Sequence, residues 1–291
     1  MVKCQLGFVN YNKNICFNFV IRSLDNFFIL YKIKLVAKIF YFTGTGNSLW
    51  SAKEIAKALN EPCEFFNIGK EVKNDNIYIE ADIAIFVFPS YAYGLPLAVK
   101  KFLEKAVFKV SYLAAFVTYG TQQGGTLGAF RKIIKKKNVE KMYFGKIPAV
   151  ENYLALFGTP KEKTKTRRLL MQEEATKKAA AAVLARKENR VNTIRPFSIF
   201  IVWVFHTFAL PLFYKKYKLS DNCNGCAVCE KICPVSGITM KDGKPVFGKT
   251  CEHCQACLNI CPSRAIQFGR VRFGTTGYKH PEIKISELGC N

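Results

Sequence analysis

The stretch "AKIFYFTGTGNSLWSAKEIAKAL", Ala37 to Leu59, runs from a short apolar segment through glycines and small hydroxyls straight into a helical pattern. The order predicts a strand, a tight loop over Thr43–Ser48 and a helix over 48–59. A helix amino terminus presents unpaired N–H groups and partial positive charge, while glycines admit close approach and hydroxyls add donors, so the loop suits a phosphate. A Walker A loop needs Lys and then Ser or Thr after its last glycine, but Asn47 and Ser48 follow Gly46. A dinucleotide fingerprint needs a third Gly or Ala where this chain has Leu49.

Beyond this unit the same alternation continues. "EFFNI", "DIAIFVF", "YLAAFVT" and "KMYFGKI" read as strands, with helices near 95–107 and 126–136 between them. Five strands separated by helices imply an α/β, doubly wound parallel sheet covered on both faces, with ligands at the carboxyl ends of its strands. Next comes "KEKTKTRRLLMQEEATKKAAAAVLARKENR", which reads as a long, mostly exposed helix finishing near Asn192. Residues 197–213, "FSIFIVWVFHTFALPLF", fall short of the ~20 residues a membrane span requires. They are read as a buried linker helix rather than a membrane contact, with His206 as a core residue. Residues 1–36 show no clean period and no cleavage signal, and are read as an extension outside the fold, with translation starting near Leu35 or Val36.

Two further loops share the ligand side of the sheet. "FPSYAYGLP" (Phe88–Pro96) follows the third strand and "TYGTQQGG" (Thr118–Gly125) follows the fourth. The first loop resembles the phosphate loop of flavodoxins, Thr-x-Thr-Gly-Asn-Thr, matched by Thr43, Thr45, Gly46 and Asn47, with Ser48 replacing the last threonine. The resemblance implies an FMN site built from Thr43, Gly44, Thr45, Gly46, Asn47 and Ser48 around the phosphate. It also implies Pro89, Ser90, Tyr91, Tyr93 and Gly94, with Thr118, Tyr119 and Gly120, around the flavin ring. The tyrosines offer stacking faces and the glycines backbone donors. Neither of these two loops contains Asp or Glu, which implies less repulsion of a reduced, anionic flavin and a less extreme low potential than in acidic flavodoxins.

"CNGCAVCEKICP" (Cys223–Pro234) and "CEHCQACLNICP" (Cys251–Pro262) share one spacing, and hold eight of the twelve cysteines. Four thiolates per site select iron-sulfur clusters, zinc or copper(I). Zinc ribbons use separated C-x-x-C knuckles, whereas C-x2-C-x2-C-x3-C-P is the run of bacterial-type ferredoxins. In that family the fourth cysteine ligates the other cluster. The resemblance therefore assigns Cys223, Cys226, Cys229 and Cys261 to one [4Fe-4S] centre, and Cys251, Cys254, Cys257 and Cys233 to the second. Such a small α+β module has little apolar core, so ligation must supply much of its stability. Cys63 and Cys290 match no ligand spacing, and the scarcity of cysteine elsewhere fits a reducing cytoplasm.

From Ala37 to about Gly269 the chain resembles the flavodoxin and ferredoxin fusion proteins of anaerobic bacteria and archaea. The implied organisation is an extension (1–36), a flavodoxin-like FMN-binding domain (37–160), a helical linker (161–218) and a 2[4Fe-4S] ferredoxin domain (219–291). It implies an electron-transfer protein relaying electrons between two [4Fe-4S] clusters and FMN. No acid, base or nucleophile constellation stands out, so no catalytic residue is assigned. Two other readings stand beside the relay, an FMN-dependent reductase of a quinone or nitro compound fed by the clusters, and an iron-sulfur redox sensor. The 44 Lys and Arg against 21 Asp and Glu, for a net charge of +23, favour negatively charged partners of any kind, and charge alone names none. The basic runs read as solvated helix faces, and the relay reading adds a redox partner protein, which the charge would suit if acidic. No nucleic-acid motif accompanies the charge, and nicotinamide binding is not indicated.

Overall fold

The computed structural model describes residues 18–22, 28–32, 37–191, 196–269 and 271–289. The chain divides into two compact units, residues 1–36 and 37–291. In the first, β1 (Asn18–Arg22) and β2 (Phe28–Lys32) pair as an antiparallel hairpin. The rest of the expected extension lies outside the described residues.

In the second unit, β3 (Ala37–Tyr41) leads into α1 (Asn47–Leu59), followed by β4 (Cys63–Asn67), α2 (Ile68–Glu71), β5 (Tyr78–Pro89) and α3 (Leu97–Lys105). Then come β6 (Val107–Tyr119), α4 (Thr126–Ile134) and β7 (Met142–Pro148). The five strands form one sheet in the order β4-β3-β5-β6-β7, all parallel. This is the flavodoxin-like order, whose reversal point lies between β3 and β5. Because strand side chains alternate, Phe40, Phe86 and Phe88 point to one face with Phe102 and Phe130. Ile39, Ile85, Val87 and Phe116 point to the other. Phe40 stacks on its cross-strand partners Phe66 and Phe86, with both centroid separations 4.9 Å.

After the short α5 (Leu154–Phe157) comes α6 (Glu162–Leu184), which ends earlier than its composition suggests and is less exposed. Ala179, Ala180 and Val183 are buried in the core that α1 also lines. Gln172 donates to the Asn47 carbonyl and to Ser51 Oγ. Small side chains let the helices approach, so an alanine-rich stretch with few large apolar residues still docks.

The apolar segment departs from its reading. It folds as α7 (Pro196–Val204), a π-helical stretch Phe205–Ala209 and α8 (Leu210–Phe213). Only part of it is covered, since Leu210 is buried while Ile199, Phe200, Trp203, Phe208 and Leu212 are each more than half exposed. Among the described residues no helix is long and apolar enough to cross a membrane.

The cysteine-rich part comprises β8 (Tyr217–Leu219), α9 (Val228–Lys231), β9 (Ile238–Lys241), β10 (Lys244–Phe247), α10 (Ala256–Ile260) and β11 (Ile266–Phe268). The second three elements repeat the first, but the strands pair across the repeat, β8 with β11 and β9 with β10, both antiparallel. Neither half can close its own sheet.

The α1–α6 packing gives a direct test. Val183 is fully buried and its neighbour Leu184 is 58% exposed. Val183→Ala should lower the unfolding free energy by about 1–3 kcal/mol, and Leu184→Ala by less than about 0.5 kcal/mol, in chemical denaturation. Equal losses would show that α6 does not dock on this face.

Candidate functional site

The carboxyl ends of β3, β5, β6 and β7 surround a cavity of about 310 Å3. Thr43, Gly44, Thr45, Asn47 and Ser48 line it from the first loop. Pro89, Ser90, Tyr91 and Tyr93 line it from the second, and Thr118, Tyr119 and Gly120 from the third. Two residues expected there are placed elsewhere. Gly46, at φ +100°, is the N-cap of α1, donates its N–H to Thr43 Oγ1 at 3.1 Å, and backs onto His280 and Ile283. Gly94 closes a tight turn with Tyr91 and faces α7, where an added Cβ would meet Val202 at 2.6 Å. Both glycines shape their loops without lining the cavity.

The loop hydroxyls are held by a buried polar lattice. Ser48 Oγ and Thr118 Oγ1 share a hydrogen bond at 2.7 Å, and Asn152 Nδ2 donates to Thr45 Oγ1 at 2.8 Å. Asn47 donates to the Val150 carbonyl and accepts from the Tyr278 hydroxyl. A C-terminal segment straps across the loop from outside. The His280 N–H donates to the Thr45 carbonyl at 2.8 Å, and the His280 ring stacks on Trp50 at 4.8 Å. The strap thus holds the Thr45 carbonyl, while the Gly46 carbonyl accepts the Trp50 N–H in the first turn of α1.

Two carboxylates line the cavity from positions outside the two ring-side loops, Glu151 after β7 and Glu252 from the second cysteine run. Glu151 accepts the N–H groups of Asn152 and Tyr153, both at 3.0 Å, and fills the space a Cβ on Gly120 would need. The two ring-side loops themselves carry no Asp or Glu, and the acid reaches the cavity from other segments. The acid is supplied by the fifth strand's loop, a ligand-side position that motif matching passed over. Glu252 is buried and accepts from the backbone N–H groups of Leu97 and Ala98 at the start of α3. Burial pushes its carboxyl up to about 7, opposed by those two donors.

The same run brings cysteine to the cavity. Cys254 stands in its wall, and a Cβ on Gly44 would meet Cys254 Cβ and the Tyr91 hydroxyl, both at 3.3 Å, and Cys254 Sγ at 3.5 Å. The buried Tyr91 hydroxyl has no oxygen or nitrogen partner and faces that thiol. His253, also in the wall, is hydrogen-bonded to Tyr153 Oη at Nε2 (2.8 Å) and to Tyr217 Oη at Nδ1 (3.1 Å). Burial depresses its pKa to about 3, so the ring is neutral, donating at one nitrogen and accepting at the other.

The eight cysteines of the two runs fall into two groups that cross between the runs. Cys223, Cys226 and Cys229 line one small cavity together with Cys261. On the other side, burial first and then the nearby thiols Cys233 and Cys251 raise the Cys254 pKa, and Cys257 feels Cys254, Cys251 and Cys233. Cys226 is exposed, whereas Cys257 is buried. Backbone donors serve matching sulfurs, Gly237 N–H to Cys233 Sγ at 3.1 Å and Ala265 N–H to Cys261 Sγ at 3.4 Å. Left-handed residues repeat as well, in the pairs Gly225 and His253, Ala227 and Gln255, and Ser236 and Arg264. Five of these six carry a Cβ, and each such residue costs about 1–2 kcal/mol. Among the described residues, no group of three or more Cys, His, Asp or Glu is placed to hold a metal ion. Cys63 stands apart, with its thiol pKa raised by partial burial and then by Glu61. Cys290 lies outside the described residues.

No family profile and no curated protein matches the chain. Solved structures similar to it include a flavodoxin of Streptococcus pneumoniae TIGR4, at 18% identity over 49% of this chain and 99% of that one, with a TM-score of 0.29. A short-chain flavodoxin associated with a PDU bacterial microcompartment aligns at 20% identity over 50% of this chain and 99% of that one, TM-score 0.33. A flavodoxin from the domain Archaea aligns at 15% identity over 50% and 99%, TM-score 0.30.

The strap carries a pH signature. Burial, and then Lys279, depress the His280 pKa to about 4 from 6.5, and among the described residues neither ring nitrogen has a hydrogen-bond partner. Between those values the unfolded chain takes up a proton that the folded chain refuses. Stability contributed above pH 6.5 is therefore lost as the pH falls toward 4, by up to about 3 kcal/mol. His280→Phe, which keeps a ring against Trp50, should flatten that limb of a stability-versus-pH curve. An unchanged limb would place the titration elsewhere.

Proposed function

We propose that the chain is an electron-transfer protein relaying electrons between two [4Fe-4S] clusters and one FMN. The observation that carries this reading is Cys254, which belongs both to a four-thiol group and to the wall of the cavity. A site that stored a metal for structure alone would have no reason to abut the ligand edge of the sheet.

The residues fit these groups. The loop Thr43–Ser48 at the start of the 13-residue helix α1 suits the phosphate of FMN. Tyr91, Tyr93 and Tyr119 supply aromatic faces beside the flavin ring. The crossed thiol groups match the ferredoxin rule, with Cys223, Cys226, Cys229 and Cys261 as one ligand set and Cys233, Cys251, Cys254 and Cys257 as the other. A cube gives each thiolate its own iron, so its ligands stand farther apart than the ligands of one ion. The backbone donors to Cys233 and Cys261 would offset thiolate charge and raise cluster potential. The strained left-handed residues support the same reading, since such positions persist only where the surroundings over-determine them.

When bound, clusters pass single electrons and FMN accepts one or two. The protein's part is order and insulation. The set containing Cys254 adjoins the flavin cavity, and the set containing exposed Cys226 lies toward solvent, so electrons exchanged with a partner enter or leave at Cys226. Glu151, its carboxylate fixed by two backbone donors, places negative charge where the reduced flavin would be anionic, and so holds its potential down.

Protein purified without oxygen should hold about eight irons with equal sulfide and about one FMN. Cys226→Ala should reduce the iron to about four while retaining flavin. Colourless protein, or protein carrying zinc alone, would overturn the reading. Separately, Glu151→Gln should raise the flavin's second reduction potential by roughly 30–60 mV, corresponding to about 1 kcal/mol of lost repulsion. A downward shift or none would remove Glu151 from that role.

A further inference from the structure

The apolar helical segment 196–213 is anchored on one side and bare on the other. Its inner side is fixed by Val202 against Gly94, by Phe205 in the wall of the flavin-side cavity, and by buried Leu210. Its outer side exposes Ile199, Phe200, Trp203, Phe208 and Leu212. Phe200, Trp203 and Phe208 form a continuous ridge, with centroid separations of 6.3 and 5.4 Å. Singly exposed apolar residues are ordinary on a protein surface, but a contiguous aromatic ridge marks a binding face.

The charges around the ridge identify what binds. Residues 196–213 contain no Asp, Glu, Lys or Arg. Exposed Lys215, Lys216 and Lys218 follow directly. Lys132, Lys136 and Lys137 of the α4 region stand across a cleft of about 780 Å3 that Ile199 and Trp203 also line. The remaining charged and titratable groups of that cleft are Tyr93, Glu104 paired with Lys100, and His206, whose pKa burial and Lys100 depress. Among the described residues, Lys132, Lys136, Lys215, Lys216 and Lys218 make no ion pair. An apolar ridge rich in aromatics between two groups of unneutralised lysines is the arrangement that lies in the interface of an anionic bilayer, with rings among the acyl chains and ammonium groups at the headgroups.

From this we infer that the protein docks on anionic membrane surfaces through the exposed face of residues 199–212, lying in the interface without spanning it. The inference uses no cofactor and stands independently of the electron relay. It also gives the exposed aromatic face a role.

The test is co-flotation of the full chain with vesicles of phosphatidylcholine alone and with about one-third phosphatidylglycerol. Binding should be at least about tenfold stronger to the anionic vesicles and should weaken as salt rises from about 0.05 to 0.5 M. Brominated lipid should quench the fluorescence of Trp203 and leave that of buried Trp50 unchanged, a readout that needs no substitution. The Trp203→Ser/Phe208→Ser variant should lose binding to both vesicles about tenfold, and Lys215→Glu/Lys216→Glu should lose the anionic preference. The inference is overturned by absence of binding, by equal binding to both vesicles, by unchanged binding of the Trp203 variant, or by sedimentation showing a second copy or another protein covering the ridge.

Discussion

The packing of the Cys251–Cys257 loop against the ligand edge of the parallel sheet sets the terms for the rest of the structure. Glu252 reaches the first N–H groups of α3, Cys254 abuts Gly44, and His253 lies between Tyr153 and Tyr217. These contacts turn two cofactor-scale sites into one continuous wall. A side chain at Gly44 would press on both Tyr91 and Cys254. Glu252 shows the cost involved, since its burial is tolerable only because helix-terminal donors compensate it.

The cysteine-rich part gains its shape from exchange between halves. β8 and β9 each find their partner in the other repeat, and Cys233 and Cys261 each sit with the other run's thiols. Paired left-handed residues extend the symmetry to the backbone. The duplication is therefore of conformation as well as of cysteine spacing, although the residues at those positions differ, as with Ala227 and Gln255.

Much of the sheet was legible in the sequence because the buried part of each strand is an apolar run bounded by helix-forming stretches, whereas the polar, exposed starts of β5 and β6, at Tyr78 and Val107, carry no such signal. The turn from β3 through Thr43–Ser48 into α1 was legible through its glycines and hydroxyls, and the placing of Cys261 beside Cys223, Cys226 and Cys229 was expected from the resemblance. Distant packing was not legible. Nothing local marks His280 as a stacking partner for Trp50, or Glu252 as a cap for α3, because each contact joins segments more than 150 residues apart. Residues 197–213 misled for a related reason, since apolar periodicity shows that a face seeks cover without showing that the chain supplies it. Glu151 was missed because the fifth strand's loop carries no motif.

The strap over Thr45 ties the loop to a segment distant in the chain. The Tyr278 hydroxyl and the His280 N–H that complete its underside lie more than 200 residues away in sequence. Closing so long a stretch of chain costs entropy before the contact rewards it, so the loop's final geometry depends on the order of the whole unit rather than on the strand and helix that flank it.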